Sequence, residues 1–229
     1  VGCQGGTGRR TTTMHKILCM QVLWAASVAI AQPPASQPTP AVASTAWTLN
    51  IKFQDPQRLS VVEPGQAQPV VYWYMLYTVE NTTGREVQFY PEFELVTDTL
   101  RVVRSELNVS PAAYRTVAHR ANDPALLPPE KIAGRILVGK DRARHGVAIW
   151  KDFDPRAKGF TVYIGGLSGE TARWKNPAFD TDKPEGRGNQ KYFMLRKTLA
   201  IPYAFGGSEA KRSLTAPRRQ VEKQAWGMR

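Results

Sequence analysis

Cysteine is nearly absent from this sequence, with 2 residues in 229, Cys3 and Cys19. Two cysteines cannot build a disulfide-rich scaffold or a four-thiolate zinc site. Histidine is almost as scarce, at 3 residues, and no two histidines stand at metal-ligand spacing. Acids are in deficit, 19 Asp+Glu against 31 Lys+Arg, so the formal net charge is +12. A membrane-length apolar run is also missing near the start. The mostly apolar stretch from Ile17 to Ile30 falls short of the roughly 20 residues that span a bilayer. The 42% hydrophobic and 22% charged fractions exclude wholesale disorder. The length allows a domain with a sizeable core.

The short apolar run has the form of a secretory signal. Met14, His15 and Lys16 make a basic start, and Ala29-Ile30-Ala31 fits the small-x-small cleavage pattern. Cleavage after Ala31 is expected, with Met14 as the initiator and residues 1–31 forming an extension plus signal peptide. Removing 31 of 229 residues leaves 198. The loss of Arg9, Arg10 and Lys16 lowers the charge from +12 to +9. Both cysteines go as well, which excludes disulfides, thiolate catalysis and thiolate metal sites from the mature chain. The expected location is the periplasm, the cell envelope or the extracellular space. Membrane contact is expected only through an uncleaved signal.

Residues 32–46 are Pro, Ala, Ser and Thr without charge, an extended spacer. Residues 47–205 alternate as strands do. Residues 206–229 carry a basic excess and are expected to be a disordered tail, with one or two amphipathic turns around Val221, Ala225 and Trp226. Within 47–205, Trp47, Leu49, Ile51 and Phe53 alternate with polar residues, and Val70–Val79 is apolar on both faces. Val87, Phe89, Phe93 and Leu95 face one way, with Pro91 marking a bulge or edge. Leu100–Val103 should pair back across the Thr97-Asp98-Thr99 turn. Further strands are expected at Lys131–Val138, Val147–Lys151, Phe160–Ile164 and Tyr192–Tyr203. Pro111–Ala121 is the helix candidate, with Ser110 as its cap. The pattern is all-β, and a two-sheet antiparallel sandwich covers the apolar face of each strand.

The aromatic strand Tyr72–Tyr77, the Glu80-Asn81-Thr82-Thr83-Gly84 turn and the Phe160–Leu167 segment resemble exported immunoglobulin-like β-sandwich domains. The sequence is also similar to exported bacterial proteins with a GVAIW–DFDP–FTVYIGGL arrangement. The resemblance implies an immunoglobulin-like antiparallel β-sandwich of about seven to nine strands, with one short helix in a loop. It implies an adhesion or scaffold role and carries over no functional residue.

Motif chemistry is sparse. Gly134–Asp141 matches a phosphate-binding loop until its last position, where Asp141 replaces the magnesium-holding hydroxyl, so no nucleotide and no cofactor are expected. Gly166-Leu167-Ser168-Gly169 lacks the closing residue of a nucleophile elbow. His119 and His145 read as solvated histidines, His145 in a basic loop. No metal site is expected; Asp152 and Asp154 come nearest to a calcium loop. Asn81-Thr82-Thr83 and Asn108-Val109-Ser110 fit the glycosylation pattern. The basic excess is the remaining signal. Arg135, Lys140, Arg142 and Arg144 cluster in one stretch and Lys211, Arg212, Arg218 and Arg219 in another, suited to an anionic envelope polymer or an acidic protein partner. Export disfavours nucleic acid as the polyanion. The expected function is a non-enzymatic exported module making envelope or extracellular contacts. The alternative is a glycan-acting hydrolase with a carboxylate pair from Asp152, Asp154, Asp180, Asp182 and Glu185.

Overall fold

The longest apolar stretch of the chain forms the strand around which the fold is arranged. In the computed structural model, which describes residues 46–105, 110–207 and 215–229, β3 runs from Val70 to Asn81. The edge strands β1 (Asn50–Phe53) and β2 (Gln57–Val61) lie end to end along one side of β3. They are separated by Gln54-Asp55-Pro56, where proline cannot donate to the ladder. The long strand β8 (Gly139–Lys151) pairs antiparallel with the other side. These four strands make the first sheet.

The second sheet has seven strands. Its centre is β5 (Glu92–Thr97), β9 (Gly159–Gly165) and β11 (Tyr192–Ala204), with β6 (Val102–Arg104) beyond β5. On the β9 side, β10 (Thr171–Lys175) continues along β11. On the far side lie β12 (Arg218–Arg219) and β13 (Ala225–Met228), joined by a 3-10 turn at Val221–Lys223. A small third sheet pairs β4 (Val87–Phe89) with β7 (Gly134–Ile136). All ladder pairings are antiparallel, so the fold is all-β, and the two main sheets pack face to face.

Trp73, Met75, Tyr77 and Val79 point from β3 into the space between the sheets and meet Phe93, Phe160, Val162, Ile164, Leu199, Ile201 and Tyr203. Trp73 stands 6.4 Å from Phe160 and 5.6 Å from Phe205, while Tyr77 stands 4.6 Å from Phe93. Tilted rings at these spacings add about 0.5–1.5 kcal/mol per pair beyond area burial. Both core indoles are satisfied. Trp73 Nε1 donates to Asp152 Oδ1 at 2.7 Å, and Trp150 Nε1 donates to the Phe93 carbonyl at 3.3 Å.

The opposite face of β3 is also apolar, and a helix covers it. α1 (Pro111–Ala121) starts at Ser110, whose hydroxyl accepts from Ala113 N, and ends at Asn122 in the left-handed region. Its Ala113 and Val117 pack on Leu59, Tyr72, Tyr74, Val147 and Ile149. A second, four-residue helix, α2, spans Pro129–Ile132. No helix among the described residues is long and apolar enough to cross a membrane.

The structure departs from the sequence expectations in four places. The strand expected at Lys131–Val138 is divided, because Pro128-Pro129 begins α2 and only Gly134–Ile136 is extended. Pro91 does more than kink a strand. The chain breaks at Tyr90-Pro91, so β4 and β5 join different sheets while Val87, Phe89, Phe93 and Leu95 all stay in one core. Residues 215–229 are not a disordered tail. They form β12 and β13 on the edge of β11, where Trp226 faces Leu199 and Lys197 lies over the Trp226 ring at 5.4 Å. The extended run Val221–Trp226 therefore supplies a 3-10 turn and a strand rather than an amphipathic α-turn. Finally, β2, β10, β12 and β13 are strands too short or too polar for alternation to reveal. The leader, the spacer and residues 208–214 lie outside the described residues.

Gly166 joins β9 to the following turn at φ +79°, and a Cβ there would overlap the Tyr90 carbonyl. Gly166→Ala should lower the urea midpoint by an amount equivalent to at least ~1–3 kcal/mol. An unchanged midpoint would show that the β4–β5 crossover can move away.

Candidate functional site

The basic residues singled out in the sequence do not form one patch. Arg135 pairs with Glu86 at 3.2 Å, and Arg142 with its neighbour Asp141 at 3.1 Å. Arg144 is half-buried and donates to the Ile132 and Arg135 carbonyls, holding α2 and β7 against β8. Arg219 pairs with Asp55 at 3.4 Å and lies over Phe53. Lys140 and Arg218 are exposed and make no ion pair among the described residues. Lys211 and Arg212 lie outside the described residues. Internal bonds thus hold four of the six described residues of the group.

The acids are similarly occupied. Asp152 accepts from the Trp73 indole. Asp154 accepts from Arg156 N at 3.0 Å and from the Arg156 guanidinium at 3.2 Å, and these bonds hold its carboxyl well below the usual carboxylate range. Asp180 accepts from Lys183 at 2.8 Å, which likewise lowers its pKa. Glu185 accepts from Lys191 N at 3.3 Å, and Asp182 is exposed. Asp152 and Asp154 lie in the β8–β9 connection, and Asp180, Asp182 and Glu185 lie together in the β10–β11 connection. Among the described residues no group of three or more potential ligands could hold a metal ion. Tyr72, Trp73, Tyr74 and Tyr77 are buried core residues.

Two features emerge that sequence reading missed. The first is an arm. Beyond the core, β10 and the start of β11 continue as a two-stranded hairpin with Trp174 opposite Phe193, and with Arg173 and Lys175 opposite Met194 and Tyr192. The Lys197–Glu170 ion pair, at 2.6 Å and largely buried, closes the end of the core. Past it, Leu195, Phe193 and Trp174 continue the inner face of the sheet, and among the described residues no second sheet covers them. Phe193 is 41% exposed, Trp174 39% and Met194 60%. The other face of the arm mixes the cations Arg173 and Lys175 with exposed Met194 and Tyr192, and Arg173 lies over the Tyr192 ring at 4.2 Å. From Thr171 to Arg196 the arm holds six basic and three acidic residues. Its tip, between Lys175 and Lys191, is polar. The alternation of Ala172 and Trp174 with Arg173 and Lys175 was the available signal, but a five-residue run is too short to separate from a turn.

The second is a dyad beside a hollow. His145 is on β8, not in a loop, and its Nδ1 lies 2.6 Å from Asp123 Oδ2. Hydrogen bonding to His145 lowers the Asp123 pKa. The two residues are 22 apart in sequence and meet because α1 ends at Asn122, turning Asp123 toward the sheet. Nothing in the local sequence signals such a contact.

Comparison with protein-family models, curated proteins and solved structures finds no match to any of them.

Asn81, in the glycosylation triplet, is fully buried. Its Nδ2 donates to the Arg85 and Ile136 carbonyls at 2.8 and 3.0 Å. Asn81 should therefore stay unglycosylated in a glycosylating host, as read by intact mass. Asn81→Ala should destabilise by about 1–3 kcal/mol through the unpaired carbonyls. The depressed carboxyl of Asp154 sets a pH dependence. A carboxyl whose folded pKa lies below its unfolded value stabilises the fold above that unfolded value, about 3.9, and loses this contribution as the pH falls. The wild-type urea midpoint should decline below about pH 4. Asp154→Asn should start lower at neutral pH and flatten this decline, and parallel curves would remove Asp154 from the acid limb.

Proposed function

We propose that the chain is a non-enzymatic, exported binding module that docks an acidic polymer of the cell envelope or extracellular surroundings through the β10–β11 arm. The single observation that carries this reading is the uncovered face of that arm. Monomeric proteins rarely leave adjacent large apolar side chains beyond their core without a partner, and Trp174, Leu195 and Phe193 form such a surface next to an excess of cations. Aromatic faces suit the C–H faces of sugar rings, and Arg173, Lys175 and Lys191 supply salt-sensitive attraction to acidic groups. The polar tip disfavours insertion into a bilayer, which would need the apolar residues at the end of the hairpin.

Export is supported by the signal pattern Met14–Ala31 and by the lack of cysteine from residue 32 onward. An immunoglobulin-like form of the sandwich is supported by two antiparallel sheets facing each other across Trp73 and Trp150.

Retention on a dextran sulfate resin tests the reading. The full chain should be retained at low salt and released as NaCl rises from about 0.1 to about 1 M. Trp174→Ala with Phe193→Ala, and separately Arg173→Glu with Lys175→Glu, should each release earlier with an unchanged circular dichroism spectrum. Retention equal to wild type in both variants would overturn the arm as the docking element. Deleting residues 206–229 is not the appropriate control, since it removes β12 and β13 from the sheet.

A further inference from the structure

The hollow beside His145 lies on the outer face of the four-stranded sheet. α1 covers Tyr72 and Tyr74 on that face and then stops at Ala121, which borders the hollow. The next residues along the face stand in one row across three strands. Lys52 on β1 is the direct partner of Thr78 on β3, and Thr78 is the direct partner of His145 on β8. Direct cross-strand partners sit about 5 Å apart, so an ammonium, a hydroxyl and an imidazole border the same space. That space measures about 260 Å³ and is also lined by Gln54, Leu76, Ala121 and Leu126.

The row is held rigidly. Asp123 binds His145 through Oδ2 and Ala125 N through Oδ1, and Leu127 N donates to the His145 carbonyl at 2.8 Å. With Nδ1 committed to the carboxylate, Nε2 is the ring nitrogen left for a ligand, and a hydroxyl can hydrogen-bond to it. A ligand matching the hollow therefore needs a hydroxyl to donate to Nε2, an anionic group for Lys52, and an apolar flank for Leu76, Ala121 and Leu126. An acid without such a hydroxyl leaves Nε2 unpaired.

We propose that this hollow binds a hydroxylated carboxylate of sugar-acid type, with its carboxylate on Lys52 and a hydroxyl donated to His145. The site is on the other sheet from the β10–β11 arm and does not depend on the docking reading, and resin retention and this site are tested by different variants.

The probe is sodium D-glucuronate, titrated into the full chain while the His145 ring resonances are followed by NMR. Glucuronate should shift them saturably. D-Glucose lacks the anion and should bind at least about ten-fold more weakly, the loss expected for one charge-assisted hydrogen bond, and acetate lacks the hydroxyls and should bind about three- to ten-fold more weakly, the loss expected for one neutral hydrogen bond. Lys52 is exposed, so Lys52→Met should fold normally and should weaken glucuronate about ten-fold, toward the glucose value. His145→Gln should abolish discrimination between glucuronate and acetate. If that variant fails to fold, the Lys52→Met titration decides alone. No saturable shift with glucuronate, equal shifts with glucuronate and acetate, or unchanged affinity in Lys52→Met would each overturn the proposal.

Discussion

The fold depends on a strand that is apolar on both faces. From Val70 to Tyr77, β3 is apolar on both faces, so each face needs its own cover. The inner face, with Trp73, Met75, Tyr77 and Val79, takes the seven-stranded sheet. The outer face, with Tyr72 and Tyr74, takes α1. Polar atoms on these side chains are satisfied at the margins, by Asp152 for Trp73, Gln57 for Tyr74 and Glu63 for Tyr72. Burial and the Glu63 carboxylate together push the Tyr72 phenol up to about 12. The phenol therefore remains a neutral donor at any ordinary pH.

Both candidate surfaces are places where that cover ends. α1 is eleven residues long and stops before the end of β3, which leaves the hollow at Lys52, Thr78 and His145. β11 is thirteen residues long, and its first residues carry Phe193, paired with Trp174, which no layer of the described residues faces. The lengths of covering and covered elements differ, and the exposed remainder is where chemistry or contact can occur. The buried Lys197–Glu170 pair marks the boundary on the arm side, and the Asp123–His145 pair marks it on the helix side.

The charge pattern follows the same logic. A basic composition does not by itself make a basic surface, because arginines at strand ends are taken up by backbone and acids. Arg144 ties α2 and β7 to β8, and Arg219 ties β12 to Asp55. On the outer face of the seven-stranded sheet Glu94 accepts from both Arg104 and Arg229, at 2.8 and 2.5 Å, and so helps to fasten the C-terminal strand. Of the cations grouped by sequence proximity, Arg144 and Arg219 are tied into the fold, while Arg135, Lys140, Arg142 and Arg218 are exposed. The arm supplies others, such as Lys175 and Lys191, that are not neighbours in sequence.

Local pattern alone determined the all-β class, the course of β3, β9 and β11, and α1 with its Ser110 cap. Each rests on a period or a cap encoded within about a dozen residues. Tertiary structure decided the rest. Pro91 reads as an interruption, but only the positions of β7 and β9 determine that the chain changes sheets there. The C-terminal residues read as a polar tail, and only the open edge of β11 makes them strands. His145 reads as a loop residue, and only the end of α1 brings Asp123 to its ring. The physical reason is common to all three. Periodicity reports which face of an element is apolar, whereas pairing, coverage and long-range contact depend on what the rest of the chain places opposite it.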